Sequence, residues 1–261
     1  MAFKRILAGL GFGGATVETV LAEENMFPGG VVRGHVHIEG GSVDQHVQRL
    51  TVGMQVRAEV ERGDSEYQQD LEFARIQVGG ELHLRPGARL SVPFELKVPW
   101  EAPISMYRGR YLRGMRVGVN TRLHVAAGVD PGDLDPVAVH ALDTQTAIMD
   151  ALDKLGFSFV KADAERGRIR GVRQRLPFYQ EIEYRSPRRY RGLNELELTF
   201  ITDERGCDVL LEMDKKPGLL LGEGRDTYQR FRVEHGTAKT EDWAGRLHTW
   251  IDSAAGRRGL L

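Results

Sequence analysis

The 261-residue chain has one cysteine, no long apolar segment and almost no net charge. Because Cys207 has no partner, an internal disulfide is excluded, and this cysteine usage is typical of a reducing compartment, so we expect a cytoplasmic location. A membrane-spanning helix needs about 18 or more consecutive apolar residues, and no stretch approaches that length. The 36 basic and 37 acidic residues give a formal net charge of -1. This balance argues against a chain built as a whole for nucleic acid or anionic membranes.

Sequence motifs of catalysis are also missing. The chain contains no G-x-S-x-G elbow, no H-E-x-x-H pair and no P-loop. His35 and His37 share a strand face, but a zinc site would need two further ligands, and no suitable set lies nearby. We therefore predict a protein that is not an enzyme and that has no cofactor and no metal site. A catalytic site that leaves no linear motif is the alternative.

Strand-like alternation dominates the first half of the chain. In residues 31–38 the apolar residues at 32, 36 and 38 share one face, and polar residues occupy the other. Residues 50–60 alternate in the same way, and shorter runs follow them. Many strands separated by glycine and proline turns, without helices between them, predict an antiparallel β-sandwich.

A turn-rich segment from Asp130 to Pro136 is the best candidate for a domain boundary, since it holds two prolines and a glycine. We therefore predict an N-terminal β-sandwich lobe over residues 1–137 and a β-rich C-terminal lobe over residues 138–261. Apolar periodicity predicts an interlobe helix near 144–155, with Asp143 and Thr144 as capping residues, and a C-terminal helix near 241–255. The predicted fold class is mainly β, with two antiparallel sandwich lobes and these two helices.

Arginine is concentrated in two blocks. Nine arginines lie between residues 166 and 191 against two glutamates, which gives a local charge of +7. Guanidinium groups form bidentate pairs with phosphate and carboxylate, so this block is a candidate for binding a partner. The residues predicted to bind it are Arg168, Arg170, Arg173, Arg175, Arg188, Arg189 and Arg191.

Two other interpretations of this block stay open. The acidic residues between 195 and 214 would neutralise the arginines if the two sets paired across strands. The interleaved aromatic residues would instead suit nucleic acid, and the arginines alone would suit phospholipid.

The other block, between residues 108 and 122, contains five arginines and no acidic residue. The acidic boundary segment follows it closely along the chain. We therefore predict polar contacts between the lobes, in which breaking one partner would leave an uncompensated charge. The residues are Arg110, Arg113 and Arg116 on one side and Asp130, Asp133 and Asp135 on the other.

The segment from Phe27 to Ile38 resembles the early hairpin of arrestin-like domains. It has an aromatic residue, a Pro-Gly turn, two strand residues and then Gly34 within the strand. Together with Phe3–Leu7, Val17–Leu21 and the strand from Gln48, it makes the chain similar to the bacterial sporulation-control protein M family. The hairpin departs from the pattern at one position, since Gly30 stands where related hairpins often carry glutamate.

The resemblance implies two arrestin-like β lobes and a regulatory role in sporulation or development, with no catalytic residues to carry over. Together with the arginine blocks, it predicts a non-catalytic adaptor that binds regulatory or structural proteins. The alternative is a module that binds anionic ligands, either nucleic acid or phospholipid, through the Arg166–Arg191 block.

Overall fold

A computed structural model describes residues 13–62, 65–191, 193–215 and 227–256. The residues Phe3–Leu7, which contribute to the family resemblance, lie outside these ranges. The elements of the N-terminal half are β1 (Thr16–Leu21), β2 (Asn25–Met26), β3 (Val31–Glu39), β4 (Gln45–Arg62), β5 (Ser65–Gly79), β6 (Leu82–Leu84), β7 (Arg89–Lys97), β8 (Met106–Tyr107), β9 (Arg110–Tyr111), β10 (Val117–Val125) and β11 (Gly132–Pro136). They are followed by β12 (Ala138–Val139), α1 (Asp143–Lys154), β13 (Ser158–Arg166), β14 (Phe178–Arg185), β15 (Leu193–Thr202), β16 (Gly206–Lys215), β17 (Thr227–Glu234) and α2 (Trp243–Gly256).

The chain divides into two compact units, and each is built from separate segments. Unit 1 comprises residues 1–56, 70–99 and 116–139, and unit 2 comprises residues 57–69, 100–115 and 140–261. The predicted boundary at 137/138 lies two residues before the last segment of unit 1 ends. The division of the chain into two lobes at that boundary stays a prediction.

Unit 1 contains two antiparallel sheets. One sheet has the order β1-β3-β7, and the other runs β11-β10-β4, with β5 and β6 also paired to β4. The burial of β3 alternates along its length, and Val32, Val36 and Ile38 are almost fully buried, as the sequence predicts. A buried hydrogen bond of 2.7 Å between the hydroxyls of Thr19 and Thr121 joins the two sheets.

The hairpin that enters β3 depends on two glycines. Gly29 has a φ of +77°, a left-handed conformation that favours glycine after Pro28. A Cβ at Gly34 would lie 2.5 Å from the Val20 carbonyl oxygen and 3.0 Å from the Phe94 ring. The strand glycine therefore permits close packing of β3 against its neighbours.

Unit 2 is organised around the antiparallel series β13-β14-β15-β16-β17, whose strands pair in chain order. Helix α1 packs against α2 and β16. Apolar residues of both helices, such as Leu152 and Ile251, are fully buried. One face of the series therefore lies in a core, while carboxylates project from the other.

The predicted fold class of a mainly β chain with two lobes, an interlobe helix and a C-terminal helix is confirmed. Both helices lie within two residues of their predicted bounds. The arrestin-like character of the lobes stays a prediction. In the described part of the chain, no helix combines the length and the apolar character that crossing a membrane requires.

An arginine-lined cavity as the candidate functional site

All seven arginines predicted to bind a partner are exposed, and they form two groups. Arg168, Arg170, Arg173 and Arg175 lie on the hairpin loop, residues 167–177, which joins β13 to β14. Arg188, Arg189 and Arg191 lie on the turn that joins β14 to β15, called the distal turn below. Because β14 has eight residues, roughly 25 Å of extended strand separates the two groups. A small ligand therefore reaches one group only.

Direct ion pairs do not neutralise these arginines. Over the described ranges, no ion pair joins any of the seven to a carboxylate. Two of the acidic residues expected to pair with them bind arginines of β17 instead, with Asp203 2.7 Å from Arg232 and Asp208 3.3 Å from Arg230. The two groups of arginines are therefore available to other partners.

A buried glutamine holds the hairpin loop in one conformation. Gln174 donates from Nε2 toward the carbonyl oxygens of Gly167, Leu176 and Phe178 at 2.8, 2.8 and 3.0 Å. Its Oε1 accepts a hydrogen bond of 2.9 Å from the Ile169 amide. These bonds connect backbone groups from both ends of the loop, so one side chain helps to order it.

Two contacts from other segments of unit 2 also hold the loop. The Glu101 carboxylate accepts hydrogen bonds of 2.8 Å from the consecutive backbone amides of Arg175 and Leu176. On the opposite side, the Arg230 guanidinium donates to the Gly171 carbonyl. The arginines of the loop are therefore presented from a braced backbone.

The hairpin loop borders a cavity of about 880 Å³. The other walls are the β15–β16 turn and the end of β17. Its charged lining residues are Arg173, Arg175, Arg205, Arg230, Arg232, Glu101, Asp203, Glu204, Asp208 and Glu234. The cavity therefore holds five arginines and five carboxylates.

Half of these charged groups are already in ion pairs. Arg232 binds Asp203, Asp208 and Glu234, and Arg230 binds Asp208. The remaining charged groups form no ion pair with any residue that the structure describes, and they are Arg173, Arg175, Arg205, Glu101 and Glu204. Because Glu101 is hydrogen-bonded to two backbone amides, the cavity keeps three arginines and the Glu204 carboxylate for a ligand.

Asp203 stays ionised over the whole physiological range. The Arg232 guanidinium and the backbone amides of Arg205 and Gly206 lower the pKa of Asp203 to about 2. In return, Asp203 and Glu234 raise the pKa of Arg232. This pairing fixes the β15–β16 turn, from which Arg205 extends.

Within the distal turn, Arg189 has a structural contact. Its Nη2 donates to the Leu155 carbonyl at the C-terminal end of α1, and its guanidinium lies 4.9 Å from the centre of the Tyr190 ring. A cation at this end of a helix interacts favourably with the helix dipole. Arg188 and Arg191 make no such contacts in the ranges described. Of the three arginines on the distal turn, these two are therefore the better candidates for binding a partner.

The contact between the first arginine block and the acidic boundary segment stays a prediction. Arg110, Arg113 and Arg116 are exposed. Asp130 lies 3.0 Å from His124 Nδ1, and Asp133 accepts a hydrogen bond of 2.8 Å from the Thr19 amide. Both carboxylates therefore have partners inside unit 1, and the third, Asp135, is buried.

Two features of unit 2 escaped the sequence predictions. The first is Glu101, whose partners lie 74 and 75 positions away along the chain. The second is a cluster of Asp163, Glu165 and Glu181, whose carboxylate oxygens lie within 4.8 Å of one another. Burial and four surrounding carboxylates raise the pKa of Glu181 to about 8. Alternating acidic residues in two adjacent strands were the available signal for this cluster.

Comparisons with known proteins agree with this architecture. A family model described as SpoOM protein matches residues 3–217. The sporulation-control protein Spo0M of Bacillus subtilis strain 168 is 30% identical over 246 residues, which cover 92% of each chain. A crystal structure of Spo0M from Bacillus subtilis has a TM-score of 0.77 and 28% identity, and the match covers 92% of this chain and 99% of that one.

Proposed function

The chain belongs to the SpoOM protein family, and on that premise we propose that it is a non-catalytic regulator of sporulation or cell development. It acts in the cytoplasm by binding other proteins. The name of the Bacillus subtilis relative supports the role in sporulation control. Protein binding as the mechanism rests on the surface of unit 2.

The observation that carries this mechanism is the exposure of unpaired arginines on a braced loop. Arg173 and Arg175 project from a segment whose backbone Gln174 and Glu101 hold in place. Binding of a partner there costs little conformational entropy of the loop, because the loop is already ordered. Arginine is also enriched among the residues that dominate protein interfaces.

The experiment compares charge reversal at the two groups of arginines. The variant Arg173→Glu with Arg175→Glu changes the hairpin loop, and Arg188→Glu with Arg191→Glu serves as the matched control on the distal turn. Partners are cross-linked in sporulating cells and identified by mass spectrometry, and spores are counted. We expect the hairpin-loop variant to lose specific partners and to change spore yield by several-fold, and the control to resemble the wild type.

Equal cross-linking by both variants would overturn the hairpin loop as the binding surface. Loss of partners from the control variant alone would place the surface at the distal turn. Circular dichroism and thermal unfolding of each purified variant show whether its fold is intact.

Binding of nucleic acid or phospholipid is the second candidate function. It is favoured by the absence of ion pairs at the seven arginines over the described ranges. This function requires an affinity that falls steeply with salt, because each neutralised phosphate releases counterions. A flat salt dependence, or no gel shift at low salt, would exclude nucleic acid.

A further inference from the structure

We infer that the cavity of unit 2 is an oxyanion site that takes a phosphate group, and that Glu101 is its internal competitor. The phosphate is one carried by a protein partner, such as a phosphorylated side chain. In naming this group, the inference rests on the proposed function. The anion site itself is tested without any partner.

The site already holds an oxyanion of the chain, the carboxylate of Glu101. The amides of Arg175 and Leu176 are consecutive, and both point at the Glu101 carboxylate at 2.8 Å. Successive backbone N–H groups that converge in this way form an anion-binding concavity. Because buried Gln174 fixes the same loop, the two donors do not depend on Glu101 alone for their positions.

Guanidinium groups also line this cavity. Arg173 and Arg175 belong to the loop, and Arg205 lines the cavity from the β15–β16 turn. Arginine forks match the oxygens of phosphate in bidentate geometry. Arg230 and Arg232 are paired with Asp203, Asp208 and Glu234, which leaves that wall with one negative charge. Among the described lining residues, Glu204 is the one carboxylate that has neither a cation nor an amide partner.

The balance of charge favours phosphate over the resident carboxylate. A phosphate monoester carries a charge of about -1.5 to -2 at pH 7 and three acceptor oxygens, whereas Glu101 supplies one negative charge and two oxygens. The lining as a whole is formally neutral, with five arginines and five carboxylates. Outside the ion-paired wall, however, Arg173, Arg175 and Arg205 exceed the carboxylates Glu101 and Glu204 by one charge. A phosphate is therefore expected to displace the Glu101 side chain from the two amides.

The backbone near Glu101 allows this exchange. Ile104, three residues further along, is held by Gln180, which accepts from the Ile104 amide at 3.0 Å and donates to its carbonyl at 2.7 Å. This segment of unit 2 therefore stays anchored when the Glu101 side chain rotates away. Only side-chain dihedrals need to change.

The test measures binding of inorganic phosphate to the purified full chain by calorimetry and by amide chemical shifts. Glu101→Gln keeps the size of the side chain but removes the competing charge, and we expect it to tighten phosphate binding about tenfold. Arg173→Ala combined with Arg205→Ala is expected to weaken binding at least tenfold. Arg188→Ala on the distal turn is the matched control and is expected to change nothing.

Unchanged phosphate affinity in a folded Glu101→Gln chain would overturn the inference, because Glu101 would then be a structural brace only. Glu101→Ala provides a second variant if the glutamine side chain still binds the amides. Equal losses from the arginine pair and from Arg188→Ala would also overturn it, since they would show non-specific ion binding.

A second arm distinguishes the source of the phosphate. A phosphoserine peptide and its unphosphorylated copy are titrated into the same variants, with inorganic phosphate as the reference. Tighter binding of the phosphopeptide than of inorganic phosphate supports a protein ligand, and equal or weaker binding rejects it in favour of a free anion. If phosphate binds but cross-linked partners do not depend on Arg173 and Arg175, the proposed function fails while the anion site stands.

Discussion

Glu181 shows at the scale of one residue how burial changes the meaning of an acidic side chain. It faces Asp163 across the β13–β14 ladder and Thr199 across the β14–β15 ladder. Burial acts first, and the charges of Glu197, Glu165, Asp163 and Glu212 act with it, to raise the pKa of Glu181 from 4.5 to about 8. Between these values the folded state binds more protons than the unfolded state, so the free energy of unfolding falls as pH rises.

Glu181→Gln is therefore expected to stabilise the protein at pH 8 and to remove part of this decline. One pKa unit corresponds to about 1.4 kcal/mol, and allowing for partial exposure we expect a gain of roughly 1–3 kcal/mol at pH 8 and little gain at pH 4.5. Urea unfolding at both pH values measures it. Glu183→Gln is the matched control, because Glu183 lies 3.0 Å from Lys161 and its charge is compensated. Equal stabilisation by both variants would contradict this account of Glu181.

At the scale of single elements, periodicity predicted α1 well but not what closes its first turn. The helix begins at Asp143, but its first turn is closed by the Gln145 side chain, which accepts from the Leu142 amide at 2.9 Å. The predicted cap residue Thr144 is instead buried, with its hydroxyl 3.4 Å from His235 Nδ1. The contact of Thr144 was not predictable because its partner lies 91 positions away along the chain.

The β8–β9 hairpin shows the same limit for the first arginine block. Tyr107 and Arg108, at the tip of this hairpin, reach α1: the Tyr107 hydroxyl lies 2.5 Å from Asp150 Oδ1 and 2.8 Å from Asp153 Oδ2, and Arg108 lies 2.8 Å from Asp150 Oδ2. Burial and these two carboxylates raise the pKa of Tyr107. Arg108, which belongs to this block but was not among the residues predicted to contact the other lobe, therefore binds a helix of its own unit.

Tyr107→Phe is expected to loosen the hairpin from α1, because it removes the only hydroxyl that bonds to these two aspartates in the described structure. Loss of a hydrogen bond to a charged group costs about 1.5–3 kcal/mol, and partial exposure places the expected loss near the lower end. Hydrogen exchange of the hairpin amides and urea unfolding measure it. Tyr111→Phe, which alters an exposed tyrosine of the same hairpin, is the control. Faster exchange in both variants would show that the aspartate contacts are not the cause.

At the scale of the whole molecule, strand alternation predicts which residues face a core but not which strand pairs with which. The predicted boundary at 137/138 divides the chain into two consecutive lobes, while unit 2 also includes residues 57–69 and 100–115. The interleaving of the two units is related to the length of two strands: β4 and β5 have 18 and 15 residues, whereas strands usually have about 3–10. Strands of that length extend beyond one unit. The local density of arginines likewise predicted Arg173 and Arg175 of the cavity, but not Arg205 or Glu101. Glu101 belongs to one of these interleaved segments.

Residues 138–261 expressed alone are therefore expected not to form a cooperative fold. This fragment lacks the Ile104 backbone that bonds to buried Gln180, the Arg113 carbonyl that accepts from the Ala162 amide at 2.8 Å, and the Glu101 brace of the hairpin loop. Unpaired buried polar groups cost about 1–3 kcal/mol each, which together consume much of a typical domain's stability of 5–15 kcal/mol. Amide dispersion in NMR spectra and thermal unfolding measure the outcome, and adding the 1–137 fragment is the control that should restore structure. A cooperative transition of 138–261 alone would instead support the consecutive lobes, because unit 2 would then not need its two earlier segments to fold.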